Sequence, residues 1–544
     1  MEKAIWATLD DYLPPGPGVE YVGRNVANYK FLSALLRYGH FDEYHFFLAS
    51  QSHQRLFQSL HGPLLESIGA ASKVKLFDRL ALFENLKKNA YTVFHQSDHI
   101  AYFNSLCHLR NQIGSFPVTS FIHSLSYQSF MGKYLEMICG GVTSQDILIC
   151  SSLSGKQVLK NCFQQIAQQL NLHLPPVQME VIPLGVEGDD FPPIDPQDCR
   201  RKLGFPNEEV IGLCFGRFSD YDKMDLFPLF QAFRYIYPQG APWRLILAGS
   251  IQSENYFKIL ELWIRTLGIS NRVTVVTNPS DAEKANLYRA ANFFISLSDN
   301  PQETFGLTLL EAMACGLPLI VSDFDGYRDI VTDAVGRRIR TTWSHFPPLV
   351  MLGPLMEEST YHRYLAQSLS VDMEQLAGVL KYFFMNPDRL KEMGLAAKEC
   401  FEQNYHYRVI IPQLERLWHK AKEAFDPNRS RPRPDPLAMD VFKCFSHYVS
   451  QSLSSETVLK VTDFGEELLH SGLKYPLLAE MSPLIDYPAG VHLLTKFRDS
   501  ARLGEIISAE NPEDWKIHYL IAWMVKHDLL KIIGRGKKSN YSGV

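Results

Sequence analysis

Residues 295–331, "ISLSDNPQETFGLTLLEAMACGLPLIVSDFDGYRDIV", hold the pattern from which the rest of the chain can be interpreted. The apolar run ending at Ser298 reads as a buried strand, "DNPQE" as a turn, and the segment opened by Thr304, Phe305 and Gly306 as a helix. "LPLIVSD" (317–323) then reads as a second buried strand. Strand, helix and strand in that order form a parallel βαβ unit. The free amides at such a helix start, with their partial positive charge, suit a diphosphate, and Gly306 lets the backbone come close because it has no Cβ. Glu303 falls at the strand end facing the cleft, and Glu311 follows eight positions later along the helix. Two carboxylates so placed can grip a polyhydroxylated ligand from two sides, although a helix-start acid and a solvated helical residue would give the same spacing.

The same alternation extends in both directions. After 210, "VIGLCFGRF" (210–218), "WRLILAG" (243–249), "RVTVV" (272–276) and "ANFFISLS" (291–298) read as parallel strands separated by helices. Before it, strands are expected at 5–9, 43–49, 74–77, 92–95, 118–123 and 147–150, with helices at 26–39 and 154–171. Between the two series lies 179–209, rich in proline and without a steady period, which reads as a linker. A less regular segment at about 337–370 precedes helices at 372–386 and 388–425. "DPNRSRPRPDP" (426–436) reads as an exposed linker. The expected architecture is α/β: two facing Rossmann-like domains, 1–185 and 186–425, the second with terminal helices, and a small, mainly helical domain at 437–544. In the last, "VHLLTKFRDSARLGEIIS" and "WKIHYLIAWMVKHDLLKII" resemble a winged-helix pattern.

The 544 residues suit roughly three to four domains. At 46% hydrophobic and 21% charged, the chain lies far from the composition of disordered proteins. Lys plus Arg number 54 against 59 Asp plus Glu, which leaves no global field for nucleic acid or anionic lipid, so any anion site must be local. Nine cysteines without a CxxC pair argue for a reducing compartment. With no secretory start and no apolar run of membrane-spanning length, a cytoplasmic location is expected. "TVFHQSDHIAYF" contains His95, Asp98 and His99, a metal-like set by composition, but without a further ligand pair it reads as a polar strand-end loop, and no metal is expected.

A second element agrees with the first. "FGRFSDYDKMDLFPLFQAF" (215–233) puts Arg217 just past a buried strand and Lys223 six residues later, where both cations can converge on phosphate oxygens at the carboxyl edge of the sheet. Such cations would stabilise a leaving diphosphate without a metal. A pair in a surface loop is otherwise solvated.

Taken together, these residues resemble the retaining GT-B glycosyltransferases of carbohydrate family four, the glycosyl transferases group 1. The family's E-x7-E motif is matched by Glu303 and Glu311, within the more specific "TFGLTLLEAMACGLP". Segment 215–233 resembles its GR-x-x-x-x-KG segment, with Met224 in place of Gly and one extra residue in the spacing. "VIPLGVEGDDFPP" (181–193) resembles the domain-junction "IPNGVD", with Leu184 for Asn. The resemblance implies that Glu303 contacts the donor sugar and Glu311 the ribose, while the amides around Phe305, Gly306, Leu307 and Thr308 hold the donor phosphates. It further implies that His123, ending "VTSFIH" (118–123), orients a sugar hydroxyl, and that Gly18, in the loop after the first strand, faces the donor phosphates. The Gly326, Tyr327, Arg328 and Asp329 segment shapes the cleft. The implied reaction moves a hexose from a nucleotide diphosphate sugar, with retention and no cofactor, to an acceptor that is a saccharide, a lipid-linked saccharide or a protein. With the side chains in an open cleft, Glu303→Ala, Arg217→Ala and Lys223→Ala are expected to leave the fold intact.

A different class of reading makes the protein a sugar-nucleotide sensor whose 437–544 domain binds a protein or nucleic acid. Its only basic cluster, Arg535, Lys537 and Lys538, lies at the chain end, and the helix most like a recognition helix starts with Glu513 and Asp514. Acid there disfavours nucleic acid, so a protein partner through 437–544 is preferred.

Overall fold

The structure is a computed structural model that describes residues 2–14, 23–238, 240–429, 435, 437–471, 477–510 and 514–534. It divides into two compact units: Met1–Phe47 with Leu56–Leu76 and Phe83–Pro436, and Leu48–Arg55 with Phe77–Leu82 and Leu437–Val544.

The first sheet has seven strands: β1 (Ile5–Thr8), β2 (Glu43–Leu48), β3 (Val74–Asp78), β4 (Val93–Gln96), β5 (Val118–Phe121), β6 (Ile147–Cys150) and β7 (Gln178–Val181). Their order is β3-β2-β1-β4-β5-β6-β7, parallel from β2 through β7. The second sheet has six: β8 (Val210–Phe215), β9 (Trp243–Gly249), β10 (Val273–Thr277), β11 (Phe293–Ser296), β12 (Leu319–Ser322) and β13 (Gly336–Ile339). Its order is β10-β9-β8-β11-β12-β13, parallel throughout. Strands such as "LIVS" and "FFIS" are buried along their whole length, because helices cover both faces of each sheet and leave no side facing water. Two apolar clusters fill the faces of the second sheet, one around Phe233, Leu245, Phe293 and Phe384, the other around Ile246, Tyr288, Leu309 and Tyr327.

Each sheet reverses its strand order once, between β1 and β4 and between β8 and β11. At such a point the connections leave in opposite directions and open a crevice beyond the carboxyl ends of the strands. The segments carrying Arg217 and Glu303 follow β8 and β11, so the second crevice lies between them.

Four local expectations change. Residues 178–181 form edge strand β7 and 196–203 a helix, within the segment read as a linker. "GRRI" forms edge strand β13, its arginines toward water. The segment beyond contains an antiparallel pair, β14 (Thr341–Trp343) and β15 (Leu369–Val371), with helices Pro347–Leu352 and Glu358–Ala366 between. The single helix expected over 388–425 is two, Pro387–Asn404 and Tyr407–Glu423. Between them His406 is extended and bridges to Val186, and its side chain caps the second helix by accepting from the Arg408 N–H at 3.1 Å.

The Tyr407–Glu423 helix returns to the first sheet. Trp418 is fully buried there, its ring 5.3 Å from His95, 5.9 Å from Phe41 and 6.5 Å from Trp6, and its Nε1 donates to the Thr119 hydroxyl at 3.1 Å. Burying that ring contributes about 3 kcal/mol. Glu415 on the same helix accepts from the His40 backbone N–H at 2.5 Å.

The second unit has a three-stranded antiparallel sheet, β16 (Val458–Val461), β17 (Ala501–Arg502) and β18 (Leu530–Gly534), in the order β17-β16-β18. Helices Tyr487–Lys496, Leu503–Ala509 and Trp515–Lys526 pack on it around Leu459, Phe497, Ile521 and Leu530. Arg535, Lys537, Lys538 and Glu513 lie outside the described residues.

Candidate active site

The site is built where β8 and β11 end. Beyond β8, Arg217 turns back on its own loop and pairs with Asp222, Nη2 to Oδ2 at 3.1 Å. Lys223 crosses to the loop after β11, its Nζ 2.7 Å from Glu303 Oε2. The two cations therefore take separate carboxylate partners. Lys223 and Glu303 are both largely screened from water, which corrects the expectation of side chains standing in an open cleft: either partner alone would be a buried charge. Burial disfavours the Lys223 ammonium, but Glu303 and the nearby Tyr327 outweigh it, and its pKa lies above the ordinary lysine value. Burial likewise works against the Glu303 carboxylate and is overcome by Lys223 and, less, by Arg217, so Glu303 titrates below its usual range.

The helix Leu307–Ala314 starts beside this pair. Gly306 is its N-cap at φ +105°, and a Cβ there would lie 2.5 Å from the Tyr327 ring, so both the backbone conformation and the packing require glycine. Gly326 is equally confined, since a Cβ would come within 2.2 Å of the Thr304 carbonyl oxygen. Phe305 is buried and anchors the turn, its N–H 3.4 Å from Glu303 Oε1. Leu307 is half-buried. The Thr308 hydroxyl is buried and has no hydrogen-bond partner among the described residues. Helix-start amides together with an unused hydroxyl form a ready anion cradle.

Glu311 is not a solvated helical residue. Lys284 Nζ lies 2.5 Å from its Oε1, and the Tyr288 hydroxyl donates to Oε2 at 2.8 Å. Sequence reasoning missed these supports. Lys284 and Tyr288 stand four apart on the Asp281–Ala290 helix, a spacing that puts them on one face, but nothing in the sequence connects that face to Glu311.

In the first half, His123 is buried beyond β5. Its Nε2 meets two acceptors, Asn28 Oδ1 at 3.0 Å and the Ser97 carbonyl at 2.8 Å, so the partners assign the ring proton to Nε2 and leave Nδ1 an acceptor. Burial, with a smaller push from Arg24, lowers its pKa to about 4 against the pull of Asp98. His123 is thus a neutral imidazole, fit to accept from a hydroxyl. Gly18 lies outside the described residues. Of the metal-like set, His95 faces the core and bonds Thr119 at 2.9 Å, while Asp98 pairs with Arg24 at 2.7 Å and His99 at 3.2 Å. Among the described residues no group of three or more His, Cys, Asp or Glu is placed to hold a metal ion, and no helix is long and apolar enough to cross a membrane.

The two halves meet around the loops of the second sheet. The Ser152 hydroxyl donates to the Thr304 carbonyl at 2.7 Å, and the Ser154 hydroxyl to that of Asp325 at 2.8 Å. Asp329 accepts from the Leu153 N–H at 2.6 Å, and Gln302 Nε2 donates to the Tyr127 hydroxyl at 2.8 Å. The Glu303 turn is thereby positioned by both sheets.

Parts of the chain are similar to known proteins. The family model described as Glycosyl transferases group 1 matches residues 195–343. Among curated relatives, the D-inositol 3-phosphate glycosyltransferase of Stackebrandtia nassauensis is 30% identical over 196 residues, 35% of this chain and 42% of that protein. The GDP-mannose:cellobiosyl-diphosphopolyprenol alpha-mannosyltransferase of Komagataeibacter xylinus is 36% identical over 118 residues, 22% of this chain and 28% of that one. The match thus spans well under half the length of either relative. Among solved structures, Anabaena HepE in complex with UDP has a TM-score of 0.51 at 16% identity, covering 77% of this chain and all of that one. Sucrose-phosphate synthase from Thermosynechococcus elongatus has a TM-score of 0.51 at 19% identity, covering 78% and 100%. Both share the arrangement of two parallel α/β sheets described above. Residues 195–343, which include Arg217, Lys223, Glu303 and Glu311, match the model of the glycosyl transferases group 1 family, and the fold of the chain is GT-B.

Proposed function

We propose that the protein transfers a hexose from a nucleotide diphosphate sugar to an acceptor hydroxyl with retention of configuration and without a metal. The observation that carries this reading is the Lys223–Glu303 pair set against the start of the Leu307–Ala314 helix. It brings together a carboxylate, a cation and the start of a helix whose amides can donate. Glu303 takes a hydroxyl of the donor sugar, Glu311 the ribose, and Arg217, Lys223 and the amides of residues 305–308 take the diphosphate. As the bond from the anomeric carbon to the phosphate oxygen breaks, its electron pair stays on the phosphate, where the cations and amides stabilise it. The acceptor oxygen bonds to the anomeric carbon on the same face, and its proton passes to the departing phosphate. Protein groups then contribute positioning and charge stabilisation, with no nucleophile. Contact between the two halves limits access of water, whose attack would hydrolyse the donor.

The UDP in the HepE complex and the donor in the Komagataeibacter enzyme's name are nucleotide diphosphate compounds, which supports this donor class without choosing the base. The acceptor class is a saccharide, a lipid-linked saccharide or a protein. The test is the anomeric configuration of the product, followed by NMR during turnover with magnesium and again with a chelator. Retention at an unchanged rate in both supports the reading, whereas inversion, or loss of turnover with the chelator, contradicts it.

A further inference from the structure

The chain leaves the second sheet after β13 and returns at β15, and β14 and β15 pair antiparallel from Thr341 with Val371 to Trp343 with Leu369. The two ends of the excursion 344–368 therefore lie side by side, as in a flap on one hinge. Its outer part has no core. The Pro347–Leu352 helix, "PPLVML", is apolar throughout and none of its residues is buried, and Met351 and Leu355 are 77% and 83% exposed. An element held by so little apolar burial opens at low cost.

What fastens the excursion is polar and reaches both halves through the Glu358–Ala366 helix and the residue after it. Toward the first half, the buried His362 donates through Nε2 to the Ser126 carbonyl at 3.3 Å, and its ring lies 5.2 Å from that of Tyr127. Toward the second half, Arg363 Nε donates to Asp220 Oδ2 at 2.6 Å, with the guanidinium 5.6 Å from the Tyr221 ring. Gln367 Nε2 donates to Asp225 Oδ2 at 3.0 Å. These anchors stand on the loops of the site itself. Tyr127 is the residue that accepts from Gln302, the neighbour of Glu303, and Asp220 comes two residues before Asp222, the partner of Arg217. We propose that 344–368 is a strap across the mouth of the donor site, which opens to admit or release the sugar nucleotide and is fastened by the Arg363–Asp220 and Gln367–Asp225 bonds. This rests on the glycosyltransferase reading above. Because those bonds join the strap to protein and not to ligand, they stabilise the closed state equally in the empty and the filled site. Weakening one then raises the rates of entry and exit by the same factor and leaves the binding equilibrium unchanged.

The experiment is stopped-flow binding of UDP, GDP and ADP, each carrying a fluorescent N-methylanthraniloyl group, to the full-length protein and to Arg363→Ala. The Arg363–Asp220 pair is partly exposed, so for the nucleotide that binds, its loss is expected to raise the association and the dissociation rate constants each about fivefold, with Kd unchanged. Rates equal to those of the wild type overturn the proposal and leave the glycosyltransferase reading standing. So does a weaker Kd at an unchanged association rate, which is what loss of a ligand contact gives. If the wild type binds none of the nucleotides, both fall. Should Arg363→Ala fail to fold, Gln367→Ala removes the bond to Asp225 and is judged by the same two rates.

Discussion

Removing Lys223 alone should do more harm than removing it together with its partner. The Lys223–Glu303 pair is nearly excluded from water, so Lys223→Ala leaves a buried carboxylate without its counter-charge and is expected to cost about 3 kcal/mol in urea unfolding. Lys223→Met with Glu303→Leu removes both charges and should recover most of that stability while abolishing transfer; equal stability of the single and double variants would mean that the pair is weakly coupled. Asp299 gives a pH-dependent case. Burial raises its carboxyl from 3.8 to about 8, while its Oδ2 accepts from the Asp225 N–H at 2.9 Å. Between those two values the unfolded chain has released the proton and the native chain still holds it, so this group's contribution to native stability falls as pH rises through the window. Asn keeps an oxygen for Asp225 and has no proton to lose. Asp299→Asn should therefore gain Tm over the wild type by more at about pH 8 than at about pH 5, and an equal difference at both would contradict the assignment. Gly306, Glu303, Glu311, Arg217 and Lys223 were legible in the sequence as candidates because they stand in motif-like segments that follow buried strands. Their partners were not. Nothing local in "DAEKANLYRAA" reveals that Lys284 and Tyr288 hold Glu311, and the strained backbone of Asp325 appears only in three dimensions.

Among the elements, buried parallel strands were read from their continuous apolar runs, while edge strands escaped. β7, "QMEV", and β13, "GRRI", each turn polar residues to water and lack such a run. The break between the helices ending at Asn404 and beginning at Tyr407 had no glycine or proline to mark it, because it is imposed by the bridge from His406 to Val186. The start of the Leu153–Leu170 helix is stabilised across the halves. Ser152 caps it locally by accepting from the Gly155 N–H at 2.9 Å, and Asp329 of the other half accepts from the Leu153 N–H. Asp329→Ala should cost about 1 kcal/mol, as loss of a helix cap does, and should speed hydrogen exchange in the first turn of that helix. Unchanged exchange there would show that Ser152 suffices.

For the molecule as a whole, two Rossmann-like domains were expected from the alternation of strands and helices; each of their sheets reverses its order once, and the loops after β8 and β11 lie at the second reversal. The sequence did not reveal that the last helix of the second half crosses back to bury Trp418 against Trp6 and His95, since a tryptophan in an amphipathic helix does not say which sheet it will meet. The central claim is that the loops after β8 and β11 with the Leu307–Ala314 helix bind a nucleotide diphosphate hexose. Calorimetric titration of UDP-, GDP- and ADP-hexoses into the wild type and Glu311→Ala tests it most directly. The account predicts that one nucleotide binds the wild type with or without magnesium, and about tenfold or more weakly to Glu311→Ala through loss of the charged hydrogen bonds. Binding of equal strength in both proteins, or none by any donor, would contradict it.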